Sequence, residues 1–241
     1  MDGTSTWKKL ASDLTDVLEL SVEPVAITFV EDPPVGVPRF DMPMSERTAD
    51  GRSGRVPASC VFWVHGDTKT FATMPEDHGN CSVGMLVHGL ADLEDIADKS
   101  DVDALLGSGW VTPDAVGHIP RVSETPGSIV YGPLADSPID PDVVLLRLNP
   151  KQMMELADAA PEIQIAGKPQ CHIIARAKED GQIAASMGCA LSRVRTGMPE
   201  DEMTCAIPAG KLPNIVKELH RTVNIDHTVE AYAATDLDRF H

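Results

Sequence analysis

The segment EDHGNC, residues 76–81, places two carboxylates, an imidazole and a thiol within one short stretch. A histidine can ligate a metal or transfer a proton, and a cysteine thiolate is a nucleophile and a ligand for soft metals. We therefore predict that His78 and Cys81 are catalytic, that His78 also ligates a metal, and that Glu76 or Asp77 orients its ring. The alternative is a polar turn that leads into a buried structural cysteine.

Four of the five cysteines occupy matching positions in two stretches, CVFWVHGDTKTFATMPEDHGNC and CHIIARAKEDGQIAASMGC. Each stretch opens with a cysteine and an apolar run, reaches a short strand that ends in ATM or ASM, and closes with a second cysteine. The match predicts an internal duplication in which both halves contribute thiols to a shared site. Four thiolates in one place suit a soft metal or an iron–sulfur cluster. The predicted cofactor and metal ligands are Cys60, Cys81, Cys171 and Cys189.

The two stretches differ just before their second cysteine. The first contains an additional segment, PEDHG, which the second lacks. This insertion breaks the symmetry of the proposed halves, and we predict that its His78 faces the cysteine cluster. The fifth cysteine, Cys205 in MTCAIP, has no counterpart in the other half and is predicted to lie in the core.

The elements that would position these residues mix strands and helices without a regular βαβ order, which predicts an α+β fold. We expect two pseudo-repeated αβ halves packed around the shared cysteine-lined site. The first half, residues 1–127, carries the EDH insertion, and the second, residues 128–241, ends in helices. Residues 31–58 are rich in proline, glycine and charge and are predicted to form a long loop.

Composition limits the classes of partner. The formal charge of −17 disfavours nucleic acid and anionic membranes, so we expect a small-molecule substrate or a redox partner, with a homo-oligomer possible. The first residues lack the apolar core of a signal peptide, and no apolar run approaches the ~20 residues of a membrane span. We therefore expect a cytoplasmic protein whose cysteines are reduced.

Three segments, PVAITF, SCVFWVHGDTKTFATMPEDHGNC and GCALSRVRTGMPEDEMTCAIP, resemble the ArCR-like family of uncharacterised proteins, the domain of unknown function 169. The resemblance runs from about Trp7 to Leu219. Leu191 and Ser192 stand where the family has a Gly-Asn pair, so a side-chain amide is not expected to act there. The family name implies no activity. The resemblance implies that the family's typical cysteines and histidine fall on Cys60, Cys81, Cys171, Cys189 and His78.

Several functions remain open from the sequence. The first is a cytosolic protein with an iron–sulfur cluster that serves electron transfer or a reductive step. The second is a haem or tetrapyrrole binder, the third a metal-free thiol enzyme with Cys81 as nucleophile and His78 as base, and the fourth a non-catalytic binding module. The sequence contains no P-loop, GxGxxG or GxSxG motif. Axial haem ligands would come from His65, Met74, His78, His88 or Met187.

Overall fold

Residues 3–41 and 58–237 are described by the computed structural model of the protein. In this part of the chain the fold is mixed α+β, with a seven-stranded sheet and ten α-helices, which confirms the predicted class. Most of the predicted loop 31–58 lies outside the described residues, because 42–57 are not among them.

The first elements follow the apolar pattern of the sequence. Leu10, Leu14 and Leu18 recur every four residues, and all three are buried on one face of the first helix. A short 3₁₀ helix, Pro75–His78, follows the second strand. The successive elements are α1 (Gly3–Leu18), β1 (Val25–Val30), α2 (Ser59–His65), β2 (Phe71–Thr73), α3 (Ser82–Val87), α4 (Leu93–Ile96), α5 (Ser100–Gly107), α6 (Pro113–Val116) and β3 (Ser128–Pro133).

The later elements begin with a clear helix start. Asn149 caps its helix by accepting a hydrogen bond from the backbone N–H of Gln152 at 3.0 Å, and Pro150 occupies the first turn, as the sequence predicts. The elements are β4 (Val143–Leu148), α7 (Pro150–Ala159), β5 (Gln164–Ile165), α8 (His172–Glu179), β6 (Ala184–Ser186), α9 (Ala190–Thr196), β7 (Met203–Pro208) and α10 (Leu212–Ala234).

One sheet connects the two predicted segments of the chain. Its strand order is β2-β3-β1-β4-β7-β6-β5, and each neighbouring pair is antiparallel except β5 with β6. The strand β3 lies within the predicted second segment, 128–241, yet it pairs with β1 and β2 of the first. The segments 1–127 and 128–241 therefore share a continuous sheet rather than forming separate sheets.

Apolar side chains cover both faces of this sheet. Because successive residues of a strand point to opposite faces, Leu146 packs on the side of α1, α7 and α10, whereas Leu145 packs on the side of α2, α3 and α8. Cys205 is fully buried in the first of these cores, as predicted. The second core contains Cys171 and has Cys60 and Cys81 packed against it, so the candidate site lies on that face.

Replacement of Gly127 tests how tightly the chain before β3 packs. A Cβ atom at this position would lie 2.0 Å from the carbonyl oxygen of Glu31, so Gly127→Ala forces the backbone apart. We expect Gly127→Ala to lower the free energy of unfolding by about 1–3 kcal/mol in urea denaturation. The matched control is Gly117→Ala, where a Cβ atom meets nothing within 4 Å. Equal unfolding free energies for the two variants would contradict this packing.

Candidate functional site

The four predicted cysteines stand at the starts of four different helices. Cys60 is the second residue of α2, and the other three immediately precede α3, α8 and α9. The helices α2 and α9 pack against each other, although they come from distant parts of the chain. All five cysteines of the protein are free thiols.

A small cavity of about 30 Å³ is lined by all four of these cysteines. Its volume is two to three times the ~10–15 Å³ that one water molecule needs, so it has room for more than one atom. The structure therefore brings together every cysteine that the repeat singles out, and it leaves Cys205 in the opposite core. The other polar or aromatic side chains of the lining are Ser59, Trp63, Gln170, Ser192 and Arg195.

The side chain of Arg195 provides the positive charge of this cavity. It extends from α9 to the start of α3, where its guanidinium donates to the carbonyl oxygen of Asn80, the residue before Cys81, at 3.2 Å. Burial lowers the pKa of Arg195, but the electrostatic interaction with the Cys81 sulfur outweighs burial and raises the pKa of the guanidinium above its usual value. A permanent positive charge therefore lies beside the Cys81 sulfur.

Two of the thiols are strongly desolvated. Burial raises the pKa of Cys60 to about 12 and raises the pKa of Cys171 well above its usual value, and the nearby Cys81 sulfur adds to both shifts. At neutral pH these two side chains are protonated. A bound metal would displace those protons, because a coordinating thiol is deprotonated outright.

A hydrogen-bond chain holds the cysteine that precedes α9. The backbone N–H of Ser192 donates to the Cys189 sulfur at 3.4 Å, and the Ser192 hydroxyl donates to Oε1 of Gln170 at 2.5 Å. The amide nitrogen of Gln170 in turn donates to the Thr204 hydroxyl at 2.8 Å. Ser192 thus fixes a thiol of the cavity.

Sequence reasoning missed Ser59 and Gln170 as residues of the cavity, although a signal for them exists. Each immediately precedes the first cysteine of its stretch, Cys60 or Cys171. A polar residue at the same place in both members of a suspected repeat is a pattern that could have identified them.

The expectation that His78 faces the cysteines is corrected by the structure. The ring is 1% exposed and packs against Phe62, and it is not among the residues that line the cavity. Its two nitrogens pair with hydroxyls, Nε2 with Thr73 at 2.9 Å and Nδ1 with Ser59 at 3.0 Å. A buried imidazole requires such partners, and they hold it within the core. Burial also lowers the pKa of His78 well below its usual value, so the ring is neutral.

The two acidic residues of EDHGNC also act away from the cysteines. Glu76 and Asp77 form ion pairs with Arg39 at 2.9 and 2.8 Å, and Asp77 accepts a hydrogen bond from the backbone N–H of Met74 at 2.8 Å. Neither carboxylate therefore orients the imidazole of His78, which Thr73 and Ser59 do instead. The EDH part of the segment anchors a 3₁₀ helix, and the cysteine at its end reaches the cavity.

The arrangement of the four thiols bears on metal binding. Within residues 3–41 and 58–237, no group of three or more His, Cys, Asp or Glu side chains is arranged so that it could hold a metal ion. As they stand, the four thiols are not a preformed metal site. A further finding on the same residues is that no helix is both long enough and apolar enough to cross a membrane.

Comparison with known proteins gives a family match over most of the chain. The model of the domain of unknown function 169, described as uncharacterised ArCR, matches residues 13–218. This confirms the resemblance that the cysteine-containing segments indicate. No curated protein and no solved structure matches the chain.

The buried histidines predict a loss of stability in acid. Burial lowers the pKa of His88 from 6.5 to about 4, so the folded state binds a proton less readily than the unfolded chain. The stabilisation from its neutral ring is complete above pH 6.5 and is lost as the pH falls toward about 4. This difference contributes about 3 kcal/mol to the pH dependence of unfolding.

We expect His88→Gln to flatten the decrease in unfolding free energy between pH 6.5 and 4 relative to the wild type. The measurement is urea denaturation at a series of pH values. The control His118→Gln removes an exposed imidazole and should leave the wild-type slope. An unchanged slope in His88→Gln would contradict the assignment of a neutral, buried ring.

Proposed function

The chain belongs to the family of uncharacterised ArCR proteins, and we propose that it binds an iron–sulfur cluster and uses it for electron transfer or for a reductive step. The ligands are the four cysteines that line the small cavity. The observation that carries the proposal is their convergence: four thiols from four separate helix starts surround one small space. These ligands are Cys60, Cys81, Cys171 and Cys189.

The chemistry of the lining fits a sulfur-ligated cluster. Among the described residues that line the cavity, the strong metal donors are four sulfurs, with no carboxylate or imidazole. A four-sulfur set is typical of zinc or of iron–sulfur centres. A cluster fills more space than a single ion, and the cavity has room for more than one atom. Because no group among the described residues is arranged to hold a metal ion, the thiols must close onto the cluster when it binds.

Two further side chains support the same cofactor. Trp63 lines the cavity, and its indole N–H is buried without a hydrogen-bond partner in the described part of the chain. An N–H donor beside a cluster has sulfur to donate to, and such bonds tune its reduction potential. The guanidinium of Arg195 supplies one positive charge against the negative charge of the thiolates.

We also propose that the site arose by internal duplication, as the cysteine pattern predicts. The strand order supports this, since β2-β3-β1 on one side of the sheet mirrors β6-β7-β4 on the other. In chain order, α2 then corresponds to α8, and α3 to α9, so each half supplies two thiols. With β3 as the counterpart of β7, the boundary between the halves lies after β3 rather than at residue 127.

The haem alternative has little support in this geometry. A cavity of about 30 Å³ is far below the ~300–1,000 Å³ of typical pockets for organic ligands. The larger pocket of about 440 Å³, which includes Asp92 and Arg121, has no histidine, methionine or cysteine in its lining. His78 is fully buried with both ring nitrogens hydrogen-bonded. His88 is fully buried with Nδ1 bonded to the carbonyl oxygen of Gly84 and with Nε2 unpaired among the described residues.

A metal-free thiol enzyme is the second candidate, and one observation favours it. The guanidinium of Arg195 lies beside the Cys81 sulfur, and its charge favours a thiolate nucleophile there. In this version the activating group is Arg195, and His78, which pairs with Thr73 and Ser59, is not the base. Fast alkylation of one thiol, Cys81, in protein that contains no metal would distinguish this function.

Single cysteine replacements test the cluster. We expect Cys60→Ala, Cys81→Ala, Cys171→Ala and Cys189→Ala each to lose most of the iron, the acid-labile sulfide and the visible absorption of protein purified without oxygen. Each variant removes one of the four ligands. The matched control is Cys205→Ala, which removes a buried thiol from the opposite core and should keep the wild-type cofactor content. Wild-type protein without iron, or an equal loss in Cys205→Ala, would contradict the proposal.

Arg195 should set the reduction potential of the bound cluster. A reduced cluster carries one more negative charge, so loss of the adjacent guanidinium disfavours reduction. We expect Arg195→Met to lower the midpoint potential by on the order of 50 mV, about a tenfold change in the one-electron equilibrium. Arg195→Lys should retain most of the wild-type value, and Arg221→Met, at an exposed position on α10, serves as the control. Redox titration followed by visible absorption measures the shift, and equal potentials for Arg195→Met and Arg195→Lys would argue against this role.

A further inference from the structure

The second half of the helix α10 extends beyond the packed body of the protein. The buried residues of this helix end at Val223, although the helix itself continues to Ala234. From Asn224 to Ala234, every side chain is exposed except that of Asp226, which is half-buried. A helical section of this length is marginal in water by itself, since isolated helices need at least ~12–15 residues. The second half of α10 would therefore be stabilised by a further contact.

Three large apolar side chains form a row along this exposed section. Ile225, Val229 and Tyr232, which we call the α10 stripe, are 52%, 58% and 71% exposed. Their spacing of four and then three residues places them on one face of the helix. Glu230 lies on the other side, where it pairs with Lys151 of α7 at 3.2 Å. The α10 stripe therefore faces away from the body of the protein.

An apolar row with this spacing is typical of a helix that packs against another helix. Single exposed apolar side chains are common and need no explanation, whereas a periodic row is the seam by which two helices pair. Complete burial of such a side chain contributes about 1.5–3 kcal/mol. Two copies of a protein with net charge −17 repel each other over most of their surface, so a contact between them also needs local attraction.

The charges at the two ends of the α10 stripe supply this attraction in an antiparallel pair. Suppose that Ile225 lies opposite Tyr232 of a second copy. The residues four positions farther out on each side then also face each other, and these are Arg221 and Asp236. The twofold axis passes between residues 228 and 229, and symmetry forms the same ion pair at both ends.

Both charged groups are placed so that they can reach a second copy. Arg221 is exposed, and its Nε pairs with Glu218 of the same helix at 2.9 Å. A guanidinium has five N–H donors, so it can bind a second carboxylate as well. Asp236 lies in the turn that follows α10, at the outer end of the stripe. The antiparallel pair thus extends the existing ion pair into a network of three charges.

We propose that the α10 stripe is the interface of a homodimer in which two α10 helices pack antiparallel. The contact runs from Arg221 to Asp236, a length of ~22 Å at 1.5 Å per residue. A single helix pair of this length is at the small end of specific interfaces, which bury ~800 Å² on each partner, so we expect a dimer that dissociates on dilution. Because α10 packs on the sheet face opposite the cysteine cavity, the dimer leaves that cavity uncovered and the proposal does not depend on its cofactor.

Sedimentation velocity of the full-length protein over a range of concentrations measures the dimer dissociation constant. We expect Val229→Asp to raise this constant by about tenfold or more, because it places two carboxylates at the centre of the interface. The matched control is Val35→Asp, which changes an exposed valine outside α10 and should leave the constant unchanged. Circular dichroism reports whether each variant is folded.

Exchange of charges tests the antiparallel alignment. Arg221→Glu and Asp236→Arg should each weaken the dimer about tenfold or more, because each places two like-charged pairs across the interface. An equimolar mixture of these two variants should regain nearly the wild-type constant, since opposite charges face each other again in the mixed dimer. Asp236→Arg separates this effect from general repulsion, because it lowers the net negative charge and would otherwise strengthen association.

Three results would overturn the proposal: a monomer at every concentration, a dimer that a folded Val229→Asp does not weaken, or an Asp236→Arg dimer at least as strong as the wild type. The first of these is expected if a different protein or another segment of the chain covers the α10 stripe. The measurements are made on protein with and without iron, so failure of the cluster proposal does not affect their outcome.

Discussion

The antiparallel pairing of β1 with β4 is the constraint on which the cysteine cavity depends. The pair aligns Val25 with Leu145, Ala26 with Val144 and Ile27 with Val143, and it joins β2-β3-β1 to β4-β7-β6-β5 in one sheet. The cysteine-bearing helices follow strands on both sides of this junction and cover the same face. A slip of the register by one residue would turn the apolar side chains of one side to the opposite face and separate the thiols.

Burial on this face determines the chemistry that the thiols can perform. In a dry environment Cys60 and Cys171 stay protonated, and the half-buried cation of Arg195 lies beside Cys81. Two of the four sulfurs that line the cavity, those of Cys60 and Cys171, are therefore protonated thiols, whereas the sulfur of Cys81 has a cation beside it. A metal or cluster would convert all four to thiolates, whereas in its absence Cys81 is the sulfur best placed to react. The cluster proposal requires all four sulfurs as thiolates, whereas the thiol-enzyme proposal requires only the sulfur of Cys81.

Much of the fold follows from local patterns, but the directions of side chains do not. Short apolar runs such as VAITFV and VVLLRL identify strands, and the matched cysteines predict the residues that meet at one cavity. The residue spacing in EDHGNC shows that His78 is near Cys81 along the chain, but it does not show where the ring points. The 3₁₀ helix at Pro75–His78 turns the imidazole toward Phe62 and leaves Asp77 to Arg39, outcomes set by burial and long-range contacts. The cytoplasmic location stays a prediction.

X-ray absorption at the iron edge of wild-type protein purified without oxygen tests the central claim most directly, because it reports the atoms around the metal. The account predicts a first shell of sulfur and a second shell of iron, as a cluster held by cysteines requires. Iron surrounded by nitrogen and oxygen without an iron neighbour, or protein that contains no iron, would contradict it.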